Sequence, residues 1–460
     1  MPDPSPSFRV HDRSGTIREV AVLAAPLVIA NLSQSFMWVV DTFLMGRVGT
    51  VEQGAVGLGG VLWWSMLCLF TGTMTVTGIL VAQDFGAERQ DIARNVRAGL
   101  VLVVPMTLLV LLARGMVPAG LRAMHVTDAV RPLAETYIHV RVLATPLVLT
   151  SFVLTSYLRG IGNTVTPMVV SLTANVINAL LAVVLVFGLG GMGPMGVKGA
   201  AVATVLASLA ECLLYVGVYW FGRGSRAHGS RRWRLPSRDL LRRFLTMGVP
   251  IGLAWLFEAV AWTAFSVYSG TRPSEELAAH AILFQVTGLC FMPAAAVGHA
   301  AATLVGQYMG ARRRDLARRS AYSALTVGVL YMSVVGVALA VFRVPLIRAF
   351  NSTPEVIVLG GSIALIAAVY QPFDGFGIVV QGVLRGANQT AVPTAVMFAS
   401  GLFVFIPLVW LLGERQGLGI RGAWMAALAH VIVVSALLAL AVLRSKPCVR
   451  ERRSTAPSHA

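Results

Sequence analysis

The strongest constraint on this chain is how far it runs without a charge. From Val20 to Val40, from Gln53 to Gln83 and from Leu277 to Ala311 there is no Asp, Glu, Lys or Arg. A helix rises 1.5 Å per residue, so roughly 20 apolar residues cross a hydrocarbon core about 30 Å thick. Such runs recur at Ala98–Ala113, Val142–Leu158 and Gly160–Val197, the last closed by the turn-rich Gly188–Pro194. Gly199–Gly222 is apolar apart from Glu211, and Phe244–Thr271 apart from Glu258. Ser320–Phe342, Val356–Leu384 (broken only by Asp374), Gly386–Gly413 and Gly422–Leu443 complete the set. The expectation is an all-α polytopic membrane protein of twelve transmembrane helices. Composition agrees, at 56% hydrophobic and 12% charged residues. A soluble domain carries about 25% charged residues, and a disordered chain needs low hydrophobicity with high charge.

The formal net charge is +17. In a soluble protein that would point to nucleic acid; here the positions of the charges give a different answer. With the N-terminus inside and the chain crossing twelve times, the inner segments collect 26 Lys and Arg and the outer segments 10. Cytoplasmic loops are the ones enriched in Lys and Arg. The expected orientation therefore has both termini cytoplasmic, in the cell (cytoplasmic) membrane, with no nucleic-acid partner. Residues 1–16 lead into no short apolar core with a cleavage site, so they read as a cytoplasmic tail rather than a signal peptide. The four cysteines are scattered, with neither disulfide-framework nor zinc-ligand spacing.

An internal repeat runs through the sequence. Pro26-Leu27-Val28-Ile29 matches Pro250-Ile251-Gly252-Leu253, and Gln83-x-x-Gly86-Ala87 matches Gln307-x-x-Gly310-Ala311, both at an offset of 224. Leu158-Arg159-Gly160 matches Leu384-Arg385-Gly386, and Gly196-Val197-Lys198-Gly199-Ala200 matches Gly419-Ile420-Arg421-Gly422-Ala423. Six helices is an even number, so both halves cross in the same sense, related by a pseudo-twofold axis along the membrane normal. Parallel-repeat transporters place their substrate between such halves. The expected division is a tail (1–16), a first six-helix bundle (17–222), an Arg-rich cytoplasmic linker (223–243), a second bundle (244–444) and a tail (445–460).

An ionisable side chain at membrane depth costs about 2.5–3.5 kcal/mol on insertion scales and marks function by default. Glu258 falls mid-span in the seventh helix, Asp374 inside the tenth, Asp41 in the outer part of the first, and Glu211 in the sixth. A carboxyl group withdrawn from water takes up a proton or binds a cation, and either event can bias a two-state element. Tyr370 lies one turn before Asp374, where a phenol ring suits a cation. Gln34 occupies the first-half position matching Glu258, so the halves have diverged in charge. Asn175 and Asn178 share a face of the fifth span. Arg141 reads as a structural residue or a partner of one acid, and His280, His299 and His430 as packing.

Together these features resemble the multidrug and toxic compound extrusion (MATE) family over nearly all of residues 17–444. The residues that carry the resemblance are Val40-Asp41-Thr42-x-x-Met45-Gly46, Gly248-Val249-Pro250-Ile251 followed by Glu258, Ala278-Ala279-His280, and the paired Gln-x-x-Gly-Ala and Leu-Arg-Gly blocks. No Asp-Arg loop of the major facilitator type lies between Gln83 and Arg94, and the Glu258/Asp374 pair looks like the NorM-type branch. The resemblance implies a secondary antiporter that exports cationic amphipathic small molecules in exchange for Na⁺ or H⁺. It implies cation coupling at Glu258, Asp374 and Asp41, with Na⁺ held by Glu258, Asp374 and Tyr370. Gln34, Asn175 and Asn178 would line the substrate or cation cavity. The implied protein is not an enzyme, carries no cofactor beyond its coupling ion and acts as a monomer in the bilayer. A lipid-linked oligosaccharide flippase or a dedicated natural-product exporter of the same superfamily is the alternative. One departure is Ala387-Asn388-Gln389-Thr390, where the family often has Gly-Asp-Thr; a cytoplasmic turn there is expected to leave coupling untouched.

Overall fold

A computed structural model describes residues 14–189, 193–231 and 234–444, so most of the first tail and all of the last lie outside the described residues. Among the described residues, twelve helices long and apolar enough to cross a membrane follow one another. The first six are α1 (Ile17–Val48), α2 (Thr50–Gly86), α3 (Ala93–Ala123), α4 (Arg131–Gly160), α5 (Val165–Phe187) and α6 (Gly196–Phe221). The second six are α7 (Arg238–Gly270), α8 (Ser274–Gly310), α9 (Arg314–Val341), α10 (Pro354–Gly386), α11 (Ala391–Arg415) and α12 (Gly419–Arg444). An even number of crossings puts the starts of α1 and α7 and the ends of α6 and α12 on one side, called here the terminal end.

The helices outrun the charge-free stretches. Long Arg side chains can cover apolar surface while keeping their heads wet, so a charge does not end a helix at the membrane edge. The Arg-rich segment is therefore shorter than its charges imply. Its last six residues are already helix α7, capped by Ser237, whose hydroxyl accepts from the Leu240 N–H at 3.2 Å. Breaks fall at specific places: a 3₁₀ turn, Val142–Ala144, precedes Pro146 in α4, and α11 runs as π-helix over Gly401–Phe405 and Val409–Arg415.

Across the middle, α1 packs on α8 and α2 on α7, two contacts equivalent under the repeat. Gly72 and Gly252 permit the second of these. A Cβ on Gly72 would come to 2.7 Å from the Gly252 Cα, so only glycine lets these backbones meet. At the terminal end the bundles interlock. Val20, Leu23 and Ala24 of α1 are buried in a core built from α8, α9 and α10. Phe244, Met247 and Ile251 of α7 are buried in a core built from α2, α3, α4 and α6.

Candidate functional site

The polar groups within the helices fall into three layers. The first belongs to the second bundle. Glu258 of α7 and Asp374 of α10 are half-buried and close enough for their charges to act on each other. Tyr370, 7% exposed, directs its hydroxyl to the Asp374 carboxylate. Two carboxylates that share a site repel unless a cation or a proton sits between them. The donors are all oxygen, the chemistry that suits a hard cation such as Na⁺. The Arg385 guanidinium also acts on Glu258.

The second layer belongs to the first bundle. Asp41 is half-buried and accepts a 3.2 Å hydrogen bond from Asn178 Nδ2. One turn earlier on α5, Asn175 Nδ2 donates to Ser33 Oγ at 2.6 Å, so the two asparagines fasten α5 to α1. Arg141, which ends the first segment of α4, acts electrostatically on Asp41. Its guanidinium lies 3.7 Å from the centroid of the Trp63 ring. Gln34 is exposed and makes no hydrogen bond among the described residues. The two halves have diverged reciprocally. The position matching Asp41 in the second half is Phe265, buried in an aromatic cluster with Trp262, His280, Phe405 and Trp424.

The third layer falls where the charge pattern alone suggests loop. Arg159 and Arg385 end α4 and α10, half-buried between the bundles rather than among exposed cytoplasmic arginines. Both act on His299 of α8, and Arg159 also acts on Glu211. That gives Glu211 a partner inside its own bundle rather than a place with Glu258 and Asp374. His280 packs within the aromatic cluster, and His430 bonds Ser400 Oγ at 2.8 Å.

Beneath these layers the terminal end is shut by a pair of reciprocal contacts. Gln83 Nε2 of α2 donates to the Gly386 carbonyl of α10 at 3.1 Å, and Gln307 Nε2 of α8 donates to the Gly160 carbonyl of α4 at 2.8 Å. These are the two repeated blocks, each gripping the other half's Leu-Arg-Gly. A Cβ on Gly86 would overlap the Gln307 carbonyl, and one on Gly310 the Gln83 carbonyl. The turn after α10 takes part: Asn388, at φ 65°, accepts from Gln83 Nε2 at 2.7 Å and donates to its Oε1 at 3.1 Å. Far from standing apart, this turn forms part of the seam. Asparagine tolerates the left-handed region because its short side chain bonds locally. The innermost tie is Asn31 Nδ2 to the Met292 carbonyl, 3.2 Å. Among the described residues, no hydrogen bond or ion pair joins the bundles at the opposite end.

A match to the MatE family model covers residues 26–184 and 250–411, once in each bundle. The chain belongs to the MatE family. This MatE chain is 27% identical over 435 residues to multidrug resistance protein MdtK of Yersinia enterocolitica, covering 92% of the chain and 94% of that protein. Against MdtK of Proteus mirabilis the identity is 28% over 419 residues, with 89% and 91% covered. A solved structure described as the outward-facing conformation of a multidrug resistance MATE family transporter of the MOP superfamily superposes at TM-score 0.87 with 18% identity, covering 98% of this chain and 100% of that one. The eukaryotic MATE transporter AtDTX14 superposes at 0.82 with 20% identity, covering 93% and 95%. This MatE chain is thus a multi-pass membrane transporter with the MATE fold.

Proposed function

We propose that the chain is a multidrug efflux antiporter that exports cationic amphipathic molecules in exchange for Na⁺ or H⁺. The observation that carries this reading is the Glu258–Asp374–Tyr370 group, in a chain whose two bundles are, among the described residues, hydrogen-bonded to each other only from the Asn31–Met292 tie toward the terminal end. The excess of Arg toward the terminal end supports a cytoplasmic placement of both termini. The state described is then closed to the cytoplasm and open outward. In that state the acids take a coupling cation from outside, which offsets the charge that held the organic cation and favours its release. The bundles, approximately 17–222 and 238–444, then part at the Gln–Gly seam and the coupling cation leaves inward. A monomer as the working unit belongs to this reading.

The test is reconstitution in liposomes, following ethidium under an imposed Na⁺ or H⁺ gradient, with Glu258→Gln and Asp374→Asn alongside. Gradient-driven movement that both variants lose supports the reading. Full gradient-driven movement in both variants refutes it.

A further inference from the structure

Arg141 has no part in the cycle just described, yet its surroundings are unusual. The residue is 5% exposed at the end of a helical segment, against a 3₁₀ turn that fixes its direction. Its guanidinium is stacked on Trp63 at 3.7 Å and lies 6.0 Å from the centroid of the Tyr137 ring. Among the described residues no carboxylate lies within 4.0 Å of it, and its buried Nε has no hydrogen-bond partner. Arginine carries five N–H donors and keeps its charge in a protein. A buried guanidinium held by ring faces, with its donors unused, is an incomplete arrangement. One carboxylate is positioned to complete it. Asp41 acts on Arg141 across the site and holds a single neutral donor, Asn178, whose own Oδ1 is buried without a partner. Tyr137 is the other titratable group of this layer and acts with both. The second bundle lacks this pair, since the positions matching Asp41 and Arg141 are Phe265 and Ala367, and the arginine that acts on an acid there, Arg385, reaches Glu258 from the end of α10.

We propose that Arg141 is a tethered counter-cation for Asp41: parked on Trp63 while Asp41 holds a transported cation, it closes on the carboxylate when that cation leaves. An emptied carboxylate at membrane depth leaves an uncompensated buried charge, which is strongly destabilising. A guanidinium of the same bundle that already acts on this carboxylate removes that cost without a proton or a second ion from solution. Arg141 is therefore a positioning residue that acts through Asp41, and any organic cation must compete with it. The first bundle releases its cargo by internal exchange, whereas the Glu258/Asp374 group needs a cation from the gradient. This inference rests on the export reading above.

Two readouts separate the two. The first needs no substrate: the rate at which dicyclohexylcarbodiimide, which attacks protonated carboxyl groups, modifies Asp41 in the full-length reconstituted protein, followed by mass spectrometry. The second is equilibrium binding and efflux of ethidium. Arg141→Gln is expected to speed Asp41 modification about tenfold, the effect of losing one nearby charge. It should also tighten ethidium binding while slowing efflux. Arg141→Lys should restore much of both. Trp63→Leu, which removes the parking place and leaves the charge, should change both in the opposite sense. In an Asp41→Asn background, Arg141→Gln should leave ethidium binding unchanged. Wild-type modification rates in both Arg141→Gln and Trp63→Leu overturn the proposal, as does an ethidium effect that persists without Asp41. If the wild-type protein moves no ethidium, the export reading falls, and the modification rates still decide the role of Arg141.

Discussion

The seam at the terminal end can be weakened by a single methyl group. In Gly86→Ala the new Cβ would occupy the space of the Gln307 carbonyl oxygen, and the obstacle is backbone, which cannot rotate aside. Overpacking of this kind costs about 1–3 kcal/mol. The contact joins the two bundles, so the cost falls on the state closed at the terminal end and not on the state in which the bundles have parted there. At about 1.4 kcal/mol per tenfold, the balance should move by about 5- to 150-fold toward opening at that end. Spin labels on Gln90→Cys and Arg314→Cys, both exposed at the terminal end, would read the separation by pulsed electron paramagnetic resonance in a background without the natural cysteines. The distance distribution should shift to longer values in Gly86→Ala and stay put in Gly54→Ala, where a Cβ meets nothing within 4 Å. An unchanged distribution in Gly86→Ala, with the protein still folded and monodisperse, would refute the assignment of these blocks as the gate.

Gln307→Ala removes one cross-bundle bond worth about 0.5–1.5 kcal/mol and should move the same distribution in the same direction by a smaller factor. Tyr370→Phe takes the hydroxyl from Asp374 and should raise the Na⁺ or H⁺ concentration needed for half-maximal efflux about fivefold, a loss of ~1 kcal/mol. Outside the membrane, His228 packs its ring against Phe85 and bonds Tyr157 Oη at 2.9 Å, and burial holds its pKa below the ordinary histidine value. The unfolded chain then binds the proton more readily, so the docking contribution is full above about pH 6.5 and fades as pH falls toward the lowered value. Melting curves at pH 7.5 and 5.5 should show a fall of a few degrees that His228→Phe reduces.

Charge carries most of the functional reading, for a physical reason. A carboxylate is costly in hydrocarbon, so Glu258, Asp374 and Asp41 stand out from the apolar runs by that cost alone. Their company is another matter. Asn178 meets Asp41 from 137 residues away, and Gln83 meets Gly386 from 303 away, separations at which no local pattern speaks. The repeat makes Gln83, Gln307, Arg159 and Arg385 conspicuous as pairs but does not say that each block grips its opposite number. The setting of Arg159 and Arg385 is hidden because an arginine at a helix end looks the same in sequence whether it faces water or a partner bundle. The start of α7 inside the Arg-rich linker is hidden for the same reason, since a helix with charged first turns gives no sign of where it begins.

The exchange of first turns has a further consequence. Pro26 stands just past the stretch of α1 that lies in the other half's core and Pro250 stands within the matching stretch of α7, and at each the missing N–H weakens the helix. Cut the chain within 222–237 and each fragment would be left with a hole shaped like a helix it does not possess, and an apolar helix end with nowhere to go. Neither fragment is a module in its own right; expressed together they should knit into one body, and expressed singly they should not. Within one chain the two halves thus stand to each other as the partners of a swapped dimer do, each completing the other's core.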